Sequence, residues 1–354
     1  MPVASIQEYS DALGVSTGSR PLSSELDEIN HASILAGPYY LHVGNGQFAV
    51  VYRCRTTAGV DVAFRCLLLP PSQDASERAA AVGNYLNSLP QIPTSFVRYR
   101  FVSCAIYAAN EWQAAYVMDW VEGITLHKAV QDLVESGDRQ GLQTMMDRTS
   151  RMVIEIQNAG IAHGDLHPEN ILVLSTGELR LVDYDSVYVP ALGNRPCLVI
   201  GPEGYSHPAY LSHSLVRPNN IYLDTFAGLV LMTSLRAVSN DLSLFQRFSK
   251  ENLLFSAEDI QNPLVSPAFA EVFSQADTTV VTLAHSLQEM CLDAAKAQIL
   301  LSQVRGITQE RKKAPGPRII EPQIPLRPVS WKSQPPVAQS TFAAIFQSKA
   351  PIQP

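Results

Sequence analysis

Residues 163–170 read His163-Gly164-Asp165-Leu166-His167-Pro168-Glu169-Asn170, and a second acidic turn, Leu181-Val182-Asp183-Tyr184-Asp185, follows a short apolar hairpin. An aspartate, an asparagine five residues on and another aspartate beyond the hairpin supply one general base and two hard oxygen ligands. That is the set that phosphoryl transfer from a magnesium-bound nucleotide needs.

Upstream of this cluster the patterning is that of strands. From Tyr39 to Leu69, β-branched and aromatic runs are separated by two turn signals, Gly44-Asn45-Gly46 and Thr56-Thr57-Ala58-Gly59, which predicts three antiparallel strands. Asp74 to Leu89 carries apolar residues at helical spacing and stops before Pro90, so it is expected to be one helix. Phe96 to Ala108 and Glu111 to Trp120 alternate as two further strands. Past residue 121 the signal turns helical, with broad apolar faces over Leu126–Glu135, Gln140–Ala159, Asp224–Val238 and Thr278–Ser302. A strand-rich half joined to a helix-rich half predicts an α+β, two-lobed architecture. The expected divisions are an N-terminal extension over 1–36, a small lobe over 37–120, a large lobe over 121–305 and a basic, Pro-rich tail over 306–354.

Composition narrows the function. With 354 residues, 46% hydrophobic and 17% charged, the chain is long enough to bury a large core. A net charge of −7 argues against a broad nucleic-acid footprint, which needs a basic face. The five cysteines have no CxxC spacing, so neither a zinc site nor a disulfide framework is expected. Met1 to Arg20 lacks the pattern of a secretory signal, and the longest apolar stretch, Phe226 to Leu235, is too short and interrupted for a bilayer span. No membrane partner and a reducing, cytoplasmic location are expected. Nine of the 24 prolines fall between Pro315 and Pro354. Pro322, Pro325 and Pro328 recur every third residue, which would align them along a polyproline II edge and suit an aromatic, SH3-like groove on a partner; a solvated tail with no receptor is the plainer expectation.

Further motifs precede the loop. Val43-Gly44-Asn45-Gly46-Gln47-Phe48-Ala49-Val50-Val51-Tyr52 is a hairpin with glycine at its tip; such a tip can lay backbone N–H groups over phosphate oxygens while Phe48 shuts out solvent. Val62-Ala63-Phe64-Arg65 puts a basic head on the third strand, and Glu77 on the next helix is the expected partner for that cation. Tyr116-Val117-Met118-Asp119-Trp120-Val121 ends a strand in a connector whose backbone groups at Asp119 and Val121 suit an adenine edge.

Taken together, H-x-D-x-x-x-x-N, then Ile171-Leu172-Val173-Leu174, then Leu179-Arg180-Leu181-Val182-Asp183, resembles the protein kinase-like superfamily, and more closely bacterial protein-kinase-like proteins with H-G-D-L and L-V-D-Y-D signatures, over roughly Tyr39 to Ser302. The resemblance implies ATP and Mg2+ as cofactors and transfer of the γ-phosphoryl to a protein Ser/Thr hydroxyl. It makes Asp165 the base, with Arg65, Asn170 and His167 as further catalytic residues and Asn170 and Asp183 as metal ligands. The nucleotide would meet Gly44, Gly46, Phe48, Val51, Ala63, Arg65, Glu77, Met118, Asp119 and Val121. Gly201-Pro202-Glu203-Gly204-Tyr205-Ser206-His207-Pro208 resembles the run that closes the activation segment, and Asp224 the aspartate that braces the catalytic loop.

Seven positions depart from the family pattern: Ala49 for the third glycine, Arg65 for lysine, Gly164 for arginine, His167 for lysine, Tyr184-Asp185 for Phe-Gly and Ala209 for the closing glutamate. Gly164 removes the cation that reads a phosphate on the activation segment, so no dependence on such phosphorylation is expected. Asp185 is expected to face water. Two alternative functions accompany the kinase: a pseudokinase scaffold that binds nucleotide weakly and presents its tail, and a small-molecule phosphotransferase of the aminoglycoside or choline kinase kind, which spells this loop in the same way.

Overall fold

Between Ser33 and Asp119 the chain forms five antiparallel strands, β1 (Ser33–Val43), β2 (Gln47–Arg55), β3 (Asp61–Leu67), β4 (Tyr99–Ala108) and β5 (Glu111–Asp119), in the spatial order β1-β2-β3-β5-β4. The structure is a computed structural model that describes residues 4–14, 21–30, 33–43, 47–68, 71–197, 200–249 and 252–307, with the side chains of 30–48 left aside. The expectations for Gly44, Gly46, the Phe48 side chain and the tail prolines Pro322, Pro325 and Pro328 lie outside the described residues.

Register follows from alternation. In β3 the odd and even positions face opposite sides of the sheet, so Phe64 and Cys66 are buried on one side while Arg65, opposite Tyr116 of β5, points to the other. The side carrying Phe64 is covered by the N-terminal residues. There α1 (Ile6–Gly14) inserts Tyr9 and Leu13, both fully buried, against Val50, Tyr52 and Ile106, and the Tyr9 hydroxyl donates to the Leu67 carbonyl at 2.7 Å. Burying a leucine such as Leu13 contributes about 2 kcal/mol, enough to dock a short helix that would not persist alone. A second short helix, α2 (Asp27–Asn30), follows.

On the other side of the sheet, α3 (Gln73–Ser88) begins where the Ser72 hydroxyl accepts from the Ala75 N–H and ends at Leu89, held extended by Pro90. It packs against β4, with Gly83 next to the Tyr99 ring and carbonyl.

The second lobe is helical: α4 (Leu126–Glu135), α5 (Arg139–Asn158), α6 (Pro208–Leu211), α7 (Thr225–Asn240), α8 (Ser243–Phe248), α9 (Ala257–Gln261), α10 (Pro267–Phe273) and α11 (Thr278–Leu292). Helix α7 is buried all round, and its internal hydroxyls are satisfied locally: Thr233 donates to the Leu229 carbonyl and Ser234 to that of Val230. It packs on α5 and α11 and forms the floor of the lobe. The helix expected over Thr278–Ser302 is shorter. Asp293 turns extended and its carboxylate accepts from the Ala295 N–H, which ends α11 at Leu292 and starts a separate turn over Ala294–Ala297. A small sheet, β6 (Ile124–Thr125), β7 (Ile171–Val173) and β8 (Leu179–Leu181), packs on α4 and α5.

The architecture is the two-lobed α+β arrangement expected, a small antiparallel lobe on a larger helical one. Among the described residues no helix is long and apolar enough to cross a membrane.

Candidate active site

The small sheet sets the geometry. Ile171 pairs with Leu181, so the residues just outside that pair, Asn170 and Val182, are neighbours, and the Val182 N–H donates to the Asn170 carbonyl at 3.0 Å. Strands this short leave Asn170 before β7 and Asp183 after β8 on the same end of the hairpin. Asp183 adopts φ 66°, ψ 80°, a left-handed conformation that costs an L-residue on the order of 1 kcal/mol and that aspartate tolerates better than most.

Behind this hairpin the loop backbone is fixed by Asp224 at the head of α7. Its carboxylate accepts from the His163 N–H at 2.5 Å and from the Gly164 N–H at 2.9 Å, in full burial. Burial pushes the Asp224 carboxyl above the usual carboxylate range, against the pull of His163 and of those two N–H groups. The His163 ring bonds the Val182 carbonyl through Nε2 at 2.9 Å, tying the loop to β8. Gly164 sits at φ +79°, and a Cβ there would lie 2.2 Å from the Ser186 carbonyl oxygen, so glycine is required by the close approach of the two backbones.

Asp165 projects from this frame. The Asn170 amide donates to the Asp165 carbonyl at 2.9 Å and to its Oδ2 at 3.2 Å. Both partners are acceptors, which fixes the amide orientation and leaves the Asn170 Oδ1 turned away from Asp165. His167 Nε2 lies 3.7 Å from the Asp165 carboxylate. Burial works against the Asp165 charge, but His167, His163 and Arg217 outweigh it and hold the carboxyl below its ordinary range. Asp165 Oδ1 is enclosed and has no hydrogen-bond partner. Gly201 passes so close that a Cβ there would stand 2.6 Å from this oxygen.

Asp183 has the opposite environment. Burial and the nearby Asp185 charge push its carboxyl up, with Asp165 adding to the effect and Arg65 opposing it. A cation would relieve that strain. The donor set on the page, the Asp183 carboxylate and the free Asn170 carbonyl oxygen, fits Mg2+, which binds through one or two protein oxygens plus substrate phosphates and water. Among the described residues no three His, Cys, Asp or Glu side chains are grouped so as to hold a metal ion by themselves.

Two expectations are corrected around Arg65. Its guanidinium, 6% exposed, meets Asp185 through two parallel bonds, Nη1 to Oδ1 at 3.1 Å and Nη2 to Oδ2 at 2.8 Å, with a longer contact to Asp183 at 3.4 Å. Asp185 therefore does not face water. Glu77, the expected partner, stands at the surface and binds Arg195 at 2.7 Å, because the first turns of α3 run beside the segment after the loop rather than over β3. The sequence carried a signal for Asp185: a carboxylate replaces the usual glycine in the same chain where arginine replaces lysine.

Of the residues expected to meet the nucleotide base, Val51 and Val121 are buried, and Ala63 and Met118 stand opposite each other in the β3–β5 pair. The Asp119 N–H is already committed to the Arg98 carbonyl at 3.2 Å, so that group is not available to a base. Gly123 passes 2.9 Å, measured from a Cβ, from the Val173 carbonyl, drawing the connector onto the small sheet.

Residues 39–246 match the family model of the protein kinase domain. The chain belongs to the protein kinase family. It is 23% identical over 193 residues to mitogen-activated protein kinase kinase 10 of Arabidopsis thaliana, covering 53% of this chain and 58% of that one. It is 22% identical over 199 residues to the serine/threonine-protein kinase PEPKR2 of the same plant, covering 56% and 39%. The chain thus spans less than two thirds of the length of either relative.

Within the kinase domain, two departures have structural explanations. Tyr184 replaces phenylalanine, and its added hydroxyl accepts from the Val97 N–H at 2.9 Å and donates to the Leu181 carbonyl at 3.1 Å, with the ring against Phe96 and Tyr99. Ala209 replaces the closing glutamate, and His207 anchors the segment instead: Nδ1 accepts from the Ala209 N–H and Nε2 donates to the Met290 carbonyl at 2.6 Å. Burial lowers the pKa of that histidine, in keeping with a neutral ring.

Proposed function

We propose that the chain is an ATP-dependent phosphotransferase of the protein kinase type, moving the γ-phosphoryl of Mg-ATP to a Ser/Thr hydroxyl of a protein. The observation that carries this is the convergence of Asp165, Asn170 and Asp183 at one end of a short hairpin, on a backbone braced by Asp224. Asp165 orients the acceptor hydroxyl and takes its proton late in a loose transition state, a role that needs position rather than basicity. The Asp165 side chain keeps part of its surface exposed, so its carboxylate can accept from that hydroxyl. Asn170 and Asp183 would hold Mg2+, which when bound offsets charge on the phosphates. Arg65 reaches the α and β phosphates, and His167 stands beside the base. The kinship with serine/threonine kinases favours a protein hydroxyl as acceptor.

The test is transfer of labelled γ-phosphate to the protein itself and to a generic protein substrate, comparing the intact chain with Asp165→Ala. Label that disappears in the variant supports the proposal. A second reading, nucleotide binding without turnover, draws on the 3.4 Å contact by which Arg65 already shares Asp183 and so competes with a cation. Label on neither substrate, with melting still raised by Mg-ATP, would favour it.

A further inference from the structure

We infer that Asp185 is the positioning residue for the Arg65 cation, replacing a glutamate of α3, and that Glu77 has been released to tie α3 to the segment that follows the catalytic loop. The inference deepens the phosphotransferase proposal and rests on it for the role of Arg65.

Arg65 and Asp185 are two departures from the family pattern that make one coupled change. A lysine head is a point charge and accepts a carboxylate from any side. A guanidinium is a planar fork that binds a carboxylate best square on, through two parallel bonds. The structure supplies that geometry, with 3.1 and 2.8 Å contacts between the two side chains. Asp185 stands two residues past Asp183, and the short turn over Tyr184–Ser186 aims it at β3. The Tyr116 ring covers the guanidinium at 5.2 Å, so the pair is packed in place rather than held by charge alone. Arg65 Nε is enclosed without a partner, so the bond to Asp185 is made end-on through Nη1 and Nη2.

The other half of the exchange lies on α3. Arg195 donates to Asp74 at 2.8 Å and to Glu77 at 2.7 Å, and the Arg195 carbonyl accepts from Asn219 at 3.0 Å. The Tyr85 hydroxyl bonds the Ala159 carbonyl at 2.9 Å, a second tie from α3 to the helical lobe. Helix α3 is thus fixed from the helical lobe and has no part in holding Arg65.

The experiment measures KM for ATP, kcat and urea unfolding of the full chain. Asp185→Asn should raise the ATP KM about tenfold or more with a smaller change in kcat, and Asp185→Glu should recover part of the loss. Arg65→Lys should behave like Asp185→Asn, and the double variant should be no worse than either single one, because each change already removes the fork. Glu77→Gln should leave the ATP KM within about twofold. A raised KM in Glu77→Gln with none in Asp185→Asn would overturn the inference. Urea unfolding without nucleotide reads the pairing by itself: Arg65 should couple to Asp185 and not to Glu77, and the reverse overturns the inference even in a chain that transfers no phosphate. A wild-type chain with that coupling but no Mg-ATP response in melting or transfer instead overturns the phosphotransferase proposal and, with it, the positioning role.

Discussion

Gly164 stands where the family places arginine, and the structure predicts that neither alanine nor arginine can be accommodated there. Two costs add. The residue sits at φ +79°, where an L-side chain costs about 1–2 kcal/mol. A Cβ would also lie 2.2 Å from the Ser186 carbonyl oxygen, roughly 1 Å inside ordinary contact, and neither partner is a flexible side chain. Gly164 is tethered by its N–H to Asp224 at 2.9 Å, and Ser186 lies in a turn closed by the Val187 N–H to the Tyr184 carbonyl at 3.2 Å. Overpacking between two fixed backbones adds about 1–3 kcal/mol. Gly164→Ala should therefore lose about 2–5 kcal/mol, which for a domain of this size lowers Tm by several degrees, on the order of 5–10 °C. Gly164→Arg should be no better, although it restores the family residue. Circular-dichroism melts and urea unfolding of both variants provide the assay. A loss in Gly164→Ala below about 0.5 kcal/mol would show that Ser186 does not press on the loop, and the explanation of this departure would fall.

Other consequences separate catalysis from stability. Gly201→Ala puts a methyl 2.6 Å from Asp165 Oδ1, at a position of ordinary backbone conformation, so the carboxylate must shift and transfer should fall by about two orders of magnitude while the melt moves little; an unchanged kcat would count against Asp165 as the base. Burial opposes ionisation of Asp277, but hydrogen bonds from Arg236, Asn240 and the Thr279 N–H outweigh it and hold the carboxyl below its usual range. With the folded pKa lowered, its stabilisation is present above the unfolded value near about 3.9 and is lost as pH falls through the lower folded value. Asp277→Asn should cost about 1 kcal/mol at neutral pH, allowing for solvent screening, and progressively less as pH falls below the unfolded value; a gap that does not shrink in acid would exclude the ion pair as its source.

The sequence made the fold and the acidic cluster legible for one reason: the relevant neighbours are close along the chain. Asp165 and Asn170 are five residues apart, and the hairpin from Ile171 to Leu181 is so short that Asp183 has to return beside them. Alternation along β2, β3 and β5 likewise needs only local pattern. The helix expected to Ser302 failed because its apolar face continues past Leu292 while Asp293 caps a new turn, a competition that periodicity does not weigh.

The partners of the cation were not legible. Arg65 and Asp185 are 120 residues apart, and Arg195 and Glu77 are 118 apart. Glu77 had the right residue type on the right helix, and only the placement of α3 beside Arg195 removes it from the site. Gly164 is similar, since its need for glycine comes from the Ser186 carbonyl across the loop. By itself the sequence determined the two lobes and the positions of Asp165, Asn170 and Asp183, because short-range spacing and alternation constrain backbone geometry directly. Which charges pair, which glycines are obligatory and which carboxylate holds Arg65 were decided by packing, because such contacts depend on distances between segments that only the assembled core brings together.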